Sequence, residues 1–288
     1  MCGTCGCSDP SNNVTLTNVE SGDSIVVREG GLVPPGSQAH PHESGGHRDQ
    51  HHHHEGDDKP HVHGPNGEVI SLEQAVLSKN DTIAAQNRGW FEGREVLALN
   101  LVSSPGAGKT TLLEATIKAA SFANDLAVIE GDQMTTNDAD RIKAAGARAV
   151  QINTGAGCHL EADMVAEAVK SLQLKSGALL FIENVGNLVC PSMFDLGEKM
   201  KIAVISVTEG EDKPLKYPHM FRASSCVVVN KIDIAEAVEF DEALCRENIA
   251  QVNPEARVIS VSAKSGDGMS EWLGFLQEHY SDFRQLAE

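Results

Sequence analysis

The stretch Ser103–Thr111, SSPGAGKTT, decides the fold of this chain, because it joins an apolar run to a helical pattern. A glycine-rich turn at such a junction points backbone N–H groups towards a phosphate, and the helix N-terminus stabilises the negative charge. Lys109 is expected to reach the β- and γ-phosphates of a nucleotide, and the Thr110 hydroxyl is expected to bind Mg²⁺. Ser103 stands where the common pattern has its first glycine. The residues expected to contact the phosphates are Ser104, Pro105, Gly106, Ala107, Gly108, Lys109, Thr110 and Thr111.

Seven short apolar runs alternate with helical patterns after residue 95. Near-continuous apolar strands separated by crossover segments are typical of a mostly parallel sheet that is covered by helices on both faces. The sequence therefore predicts a three-layer α/β domain with a P-loop NTPase fold and seven strands, and its ligands should bind at the carboxyl ends of those strands. The runs are VLALNLV, AVIEGD, AVQIN, ALLFIEN, KIAVISV, CVVVNKID and RVISVSA.

The chain before this domain has a different composition. Residues 8–70 are rich in Gly, Pro, Ser, Asn and Asp and contain nine of the 12 histidines. Such a segment buries too little apolar area to offset its ordering entropy, so we expect disorder. The predicted organisation is a metal-binding motif in residues 1–7, a disordered His-rich metal-binding linker in residues 8–70, and a GTP-binding domain in residues 71–288. A helix over residues 71–91 should begin that domain.

The last two predicted strands end in motifs that indicate which base is bound. The first ends in NKID and the second in SAKSGDG. The Asp233 carboxylate can accept from the adjacent N1–H and N2–H₂ donors of guanine, a pattern that adenine lacks. Lys231 would lie along the base and Asn230 would brace the loop, while Ala263 and Lys264 would place a backbone N–H near guanine O6. This order of motifs favours GTP over ATP.

Two other strand ends carry acidic residues. Asp132 follows the second strand, and Glu183 and Gly186 follow the fourth. Asp132 and Glu183 are candidates for holding Mg²⁺, and Gly186 for sensing the γ-phosphate in a mobile switch. The alternative for both acids is simple solvation at the start of a loop. No obvious catalytic glutamine is present, so we expect hydrolysis to be slow or to need a helper.

A candidate metal site consists of Cys158, His159 and Cys190. Adjacent Cys and His ligands cannot easily bind one ion from mid-strand, but they can do so where a loop starts a helix. Two thiolates and an imidazole are soft or borderline metal ligands, and a set of three leaves one coordination position open. The alternative is a buried cysteine, an exposed histidine and an unrelated cysteine. An incomplete ligand set also suggests a site that is shared across a two-fold dimer interface.

The N-terminus contains a second candidate metal site. Cys2, Cys5 and Cys7 can wrap one Zn²⁺ or Ni²⁺ ion, and a redox C-x-x-C pair or a flexible thiol tail are the alternatives. By composition, the histidine run His51, His52, His53 and His54 is a weak buffer for divalent metals.

Composition limits the partners and the compartment. Lys and Arg number 23 and Asp and Glu 41, so the formal net charge is −18. This charge argues against nucleic acid and against an anionic membrane as the main partner. No apolar stretch approaches a membrane span, and no secretory signal is evident among the first thirty residues, so we expect a cytoplasmic protein with reduced thiols. Of the seven cysteines, Cys226 and Cys245 are expected in the core.

Taken together, these segments resemble the HypB family of hydrogenase maturation GTPases, which are nickel-insertion factors. The resemblance implies a SIMIBI-class P-loop fold that dimerises on GTP binding, with Ser103 as the family's own variant start. It also implies a high-affinity nickel site at the three opening cysteines and a weaker nickel or zinc site at Cys158, His159 and Cys190. The implied task is delivery of Ni²⁺ to the large-subunit precursor of a [NiFe]-hydrogenase, with the small zinc protein HypA as partner. The segments are CGTCGC, LVSSPGAGKTTLL, VIEGDQMTTNDADRI, NTGAGCHLEADM, LLFIENVGNLVCP, VTEGEDKPLKYPHMF and NKID.

Two alternative functions stay open. Urease-accessory nickel GTPases are near relatives, although the thiol head and the Cys158–His159 set do not look like theirs. The other alternative is a nickel store in which the GTP domain has little role. The His-rich stretch is similar to that of family members that also store nickel.

Overall fold

The structure is a computed structural model that describes residues 13–28, 61–63, 69–132 and 137–285. Its centre is a nine-stranded sheet whose strands follow the order β11-β10-β9-β5-β8-β6-β7-β1-β2. A separate antiparallel pair joins β3 to β4. The strands are β1 (Val14–Asn18), β2 (Ser24–Arg28), β3 (His61–His63), β4 (Val69–Ser71), β5 (Leu97–Ser103), β6 (Leu126–Asp132), β7 (Arg148–Asn153), β8 (Leu179–Glu183), β9 (Met200–Ser206), β10 (Ser224–Asn230) and β11 (Arg257–Ser260).

The seven strands from β5 to β11 are parallel, as expected, and most of their residues are buried. Burial on both faces explains their continuous apolar sequences. The predicted α/β class with a mostly parallel central sheet is therefore confirmed. The helices of the described residues are α1 (Leu72–Gly93), α2 (Lys109–Ala119), α3 (Asn137–Ala145), α4 (Ala162–Leu172), α5 (Cys190–Met193), α6 (Lys213–Lys216), α7 (Pro218–Ala223), α8 (Glu242–Val252) and α9 (Met269–Gln285).

Two helical layers enclose the sheet. On one face, Trp272 of α9 packs into the cluster formed by Leu112 and Leu113 of α2, and its indole N–H donates to Thr116 Oγ1 at 2.8 Å. On the other face, Phe91 of α1 joins apolar residues of α4. Helices α7 and α8 cover β9 and β10 on the remaining part of the sheet. None of the helices among the described residues is long and apolar enough to cross a membrane.

The strand count and the boundary of the linker need correction. The expectation of disorder over residues 8–70 is wrong for residues 14–28, which form a hairpin that extends the sheet from seven to nine strands. Strand β1 pairs antiparallel with β7, and Val14 and Leu16 are each only 2% exposed, packed in the cluster that contains Ile152. Residues 61–63 and 69–71 are also paired strands, and the first helix spans 72–93 rather than 71–91.

Candidate functional site

The phosphate loop lies between β5 and α2, at the carboxyl edge of the parallel strands. Gly106 and Gly108 have φ angles of 76° and 95°, a region that side chains with a Cβ rarely adopt. A Cβ on Gly108 would lie 2.5 Å from Nδ2 of Asn230, so this position must remain glycine for the loop to sit against β10. The loop geometry expected from the sequence is thus present, with Ser103 as the last residue of β5.

Lys109 is held inside the loop by the residue that replaces the usual glycine. Its Nζ donates to Ser103 Oγ at 2.6 Å, and Ser103 Oγ donates to the Ser104 carbonyl at 2.6 Å. Burial lowers the pKa of Lys109, and the carboxylates of Glu183 and Glu130 oppose this effect. Burying an ammonium group costs free energy, and a bound phosphate would offset that cost. The position is therefore preorganised to bind an anion.

Thr110 and Glu183, two of the three candidate Mg²⁺ residues, lie together in the structure. Thr110 Oγ1 donates to Glu183 Oε1 at 2.8 Å, and Glu183 is 4% exposed. Burial raises the pKa of Glu183, opposed by Lys109 and by the Thr110 hydrogen bond. Within the described part of the chain, Glu183 Oε2 has no hydrogen-bond partner. A hydroxyl and a buried carboxylate oxygen are hard donors, so this pair fits Mg²⁺. Asp132 ends β6 and is half-buried.

Sequence reasoning missed two further acidic residues at this edge. Glu130 is 2% exposed on β6, directly across from Glu183 on β8. Burial, with the charges of Glu183 and Asp132, raises the pKa of Glu130 to about 9. Asp138 of α3 accepts from Arg141 Nη1 at 2.8 Å and adds to the negative field around Glu130. The clustering of acids in VIEGDQMTTNDAD was the available signal for both residues.

The two base motifs meet behind the phosphate loop. Asn230 Nδ2 donates to the Ala107 carbonyl at 2.9 Å, and Asn230 Oδ1 accepts from the backbone N–H of Ala263 at 3.2 Å. Lys231 Nζ donates to the Gly106 carbonyl at 2.7 Å. One asparagine therefore joins the phosphate loop to both strand ends, and Lys231 adds a second tie.

The acceptor proposed for the base lies on the outer side of this junction. Asp233 is exposed, and its Oδ1 accepts from Ser262 Oγ at 2.7 Å. Lys264 is exposed on the neighbouring loop. The structure thus brings Asp233 and the Ala263–Lys264 pair to the same end of the molecule. An exposed carboxylate fixed by a serine can accept from a base edge without first breaking an ion pair.

The three predicted metal ligands converge. Cys158 Sγ lies 3.0 Å from Cys190 Sγ and 3.5 Å from His159 Nδ1, and all three ligand atoms lie within 4.8 Å of one another. Ligands of a tetrahedral ion at about 2.0–2.3 Å are separated by roughly 3.3–3.8 Å, so these three residues, the Cys–His trio, need little movement to bind one ion. The expectation that Cys158 and His159 start a helix is wrong, because they lie in the loop before α4, which begins only at Ala162. Cys190 is the first residue of α5.

The imidazole of the trio is oriented by its surroundings. His159 is 2% exposed and packs against Phe194, with ring centroids 3.9 Å apart. While Nδ1 faces Cys158, Nε2 lies 3.8 Å from Glu161 Oε1. This distance is longer than a hydrogen bond, so Glu161 acts on the ring through its charge and lies where a carboxylate commonly supports a metal-binding histidine. Glu161 was not singled out from the sequence, where it stands two residues after His159.

The remaining predicted metal ligands lie outside the described residues. These are Cys2, Cys5, Cys7, His51, His52, His53 and His54. Cys226 and Cys245 are core residues as expected, both 0% exposed, and burial raises the pKa of each thiol to about 12. Neither therefore offers a thiolate near neutral pH.

A glycine-rich phosphate loop that joins the central strand of a parallel sheet to a helix, with a lysine and acids at the carboxyl edge, defines a P-loop nucleotide-binding protein. A family profile described as the CobW/HypB/UreG nucleotide-binding domain matches residues 97–260. The hydrogenase maturation factor HypB of Azotobacter vinelandii is 48% identical over 280 residues, which cover 96% of this chain and 92% of that protein. The HypB of Escherichia coli K12 is 55% identical over 209 residues, or 73% of this chain and 72% of that protein. The chain belongs to the HypB family of hydrogenase maturation factors.

Solved structures agree with this assignment. The crystal structure of HypB from Helicobacter pylori in complex with nickel has a TM-score of 0.66 and 40% identity, covering 71% of this chain and 96% of that one. HypB from Archaeoglobus fulgidus has a TM-score of 0.66 and 36% identity, covering 70% of this chain and 99% of that one. The family resemblance expected from the sequence is confirmed.

Proposed function

We propose that this chain is a GTP-hydrolysing nickel metallochaperone that delivers Ni²⁺ to the large-subunit precursor of a [NiFe]-hydrogenase, with GTP state controlling dimerisation and metal release. The main support is one observation: the segment from Glu183 to Cys190 contacts the phosphate loop at one end and carries a ligand of the Cys–His trio at the other. The name of the family and the nickel in the Helicobacter pylori structure support the choice of metal and task.

The nucleotide half of the proposal rests on the buried charges. Lys109 would exchange its bond to Ser103 for the β- and γ-phosphates, which neutralise its desolvated ammonium. Thr110 and Glu183, with Asp132, would hold Mg²⁺, which when bound neutralises phosphate charge. Asp233 would accept from guanine, and Asn230 would keep the base and phosphate subsites in register. Gly186 would follow the γ-phosphate.

The metal half treats Ni²⁺ as cargo. Cys158, His159 and Cys190 would bind Ni²⁺ or Zn²⁺ and leave a position for a ligand from outside the site. That ligand could come from a second copy of the chain, so the homodimer would depend on both metal and GTP. Cys2, Cys5 and Cys7 would capture nickel tightly, and the histidine run at 51–54 would buffer it. We place this chemistry in the reducing cytoplasm, with a HypA-type zinc protein as the accessory partner.

The test is a nickel titration of the reduced full-length chain under anaerobic conditions, once with GDP and once with a non-hydrolysable GTP analogue. We expect affinity or stoichiometry to shift with the nucleotide. Cys190→Ala should remove the shift, whereas Cys245→Ala, which deletes a core thiol away from the trio, should retain it. Superimposed curves for the unaltered chain would instead describe a nickel store whose GTP domain does not control release.

A further inference from the structure

The residues Glu183–Cys190, called the switch segment here, are fastened to the phosphate loop at two points. Glu183 accepts the Thr110 hydroxyl at 2.8 Å. A Cβ on Gly186 would lie 3.0 Å from both Cα and N of Pro105, so the two backbones are in close contact. Any nucleotide that displaces the phosphate loop or takes the Thr110 hydroxyl must therefore act on this segment.

Two asparagines connect the switch segment to the loop that carries Cys158 and His159. The backbone N–H of Leu160 donates to Asn184 Oδ1 at 3.1 Å. Asn187 Nδ2 donates to the Cys158 carbonyl at 3.4 Å. These bonds hold the two peptide groups on either side of His159, so they control the orientation of this ligand relative to Cys158.

The two asparagines differ in how firmly they are held. Asn184 is 1% exposed; its Oδ1 also accepts from Val185 N at 3.0 Å, and its Nδ2 donates to Asn100 Oδ1 at 3.3 Å. Asn100 in turn donates to Glu198 at 3.1 Å, which fixes the orientation of both amides. Asn187 is half-buried, and its bond to Cys158 is longer. Asn184 is thus a fixed contact, and the Asn187 bond is the one that a small displacement would break.

We propose that Asn184 and Asn187 are positioning residues that transmit the nucleotide state to the Cys–His trio. Asn184 acts as the pivot, and Asn187 makes or breaks its bond to the Cys158 carbonyl as the switch segment moves. The proposal rests on the proposed function, because it needs a metal affinity that differs between nucleotide states. A hydrogen bond that is present in one nucleotide state and absent in the other changes the ratio of the metal affinities of the two states by about fivefold.

The experiment measures metal binding at the trio alone in the full-length chain. Cys2, Cys5 and Cys7 are replaced by serine, and the thiolate-to-metal charge-transfer band of Ni²⁺ is titrated with GDP and with a non-hydrolysable GTP analogue. Histidines do not give this band, and the other two thiols are buried in the core. The variants are Asn187→Ala and Asn184→Ala. The matched control is Asn248→Ala in α8, which removes an amide-to-carbonyl bond of 2.9 Å to Glu211 that involves neither the phosphate loop nor the trio.

The decisive quantity is the ratio of the two nickel dissociation constants. For Asn187→Ala we expect the ratio to move towards one by about fivefold, with unchanged affinity for GDP in the absence of metal, while Asn248→Ala keeps the original ratio. If Asn187→Ala loses nickel affinity equally in both nucleotide states, the asparagine merely supports the loop and the inference is wrong. The inference is also wrong if Asn187→Ala changes neither of the two nickel dissociation constants. A ratio of one before any substitution would instead reject the release switch of the proposed function. Should Asn184→Ala not fold, the Asn187 result decides.

Discussion

Replacing Glu130 with glutamine tests the electrostatics of the nucleotide site in the absence of nucleotide. The carboxyl group is 2% exposed beside Glu183, and Glu130 Oε2 has no hydrogen-bond partner among the described residues. Burial raises its pKa from an ordinary value of 4.5 to about 9. Glutamine has nearly the same shape and mimics the protonated acid, so the change removes the titration with little effect on packing.

The magnitude follows from proton linkage. Because the pKa is higher in the folded state, the contribution of this group to stability is fully present below pH 4.5 and is lost as the pH rises towards 9. The free energy of unfolding should fall by up to about 1.4 kcal/mol for each pH unit in that window. Between pH 5 and pH 8 the loss is at most about 4 kcal/mol, and relaxation around the site reduces it to about 2–4 kcal/mol.

The assay is urea unfolding of the reduced, nucleotide-free protein at pH 5, 6, 7 and 8. The free energy of unfolding of Glu130→Gln, minus that of the unaltered chain, should be about 2–4 kcal/mol larger at pH 8 than at pH 5. Glu255→Gln, which changes an exposed carboxylate, should run parallel to the unaltered chain. Parallel curves for Glu130→Gln as well would show that the carboxyl group is ionised in the folded protein and that burial does not raise its pKa.

Three other substitutions test the switch, the base and the hairpin. Gly186→Ala places a Cβ 3.0 Å from the Pro105 backbone, so calorimetry should show nucleotide affinity weakened by about 1–3 kcal/mol, whereas Gly89→Ala, with open space around it, should leave affinity unchanged. Asp233→Asn should weaken GTP binding by about 2–3 kcal/mol and improve binding of xanthosine triphosphate, and equal losses for both would refute guanine readout. Leu16→Ala should lower the free energy of unfolding by about 2–5 kcal/mol and accelerate amide hydrogen exchange in β7. Unchanged exchange there would mean that the hairpin is not docked.

The sequence predicted well those features that local patterns determine. The seven parallel strands, the glycine turn around Lys109 and the acid at Glu183 all follow from runs of a few residues, because a strand buried on both faces has to be apolar along its whole length. Cys190 was grouped with Cys158 because it lies just past the strand end that carries Glu183, not because of the spacing of the two cysteines, and the structure brings their sulfur atoms to 3.0 Å.

The features that were missed depend on distant parts of the chain. VTLTN alternates apolar and polar residues as a strand with one buried face does, but the partner that buries Val14 and Leu16 is β7, more than 130 residues later. Within a segment of mostly polar composition, that short alternation is a weak signal. Likewise, Glu130 and Asn184 read as ordinary polar residues at strand ends until the packing around them is known.

The antiparallel pairing of β1 with β7 has a consequence for the three opening cysteines. Thr15 lies opposite Asn153, so the first residue of β1, Val14, lies at the same edge of the sheet as the start of the loop to Cys158, which is five residues beyond Asn153. Cys7 is seven residues before Val14, which limits its distance from that point to about 24 Å. A tether this short raises the local concentration of one thiol group near another to the millimolar range. If both sets of thiols bind nickel as proposed, transfer of the ion between them within one chain would be a first-order process, with a rate constant that does not depend on protein concentration.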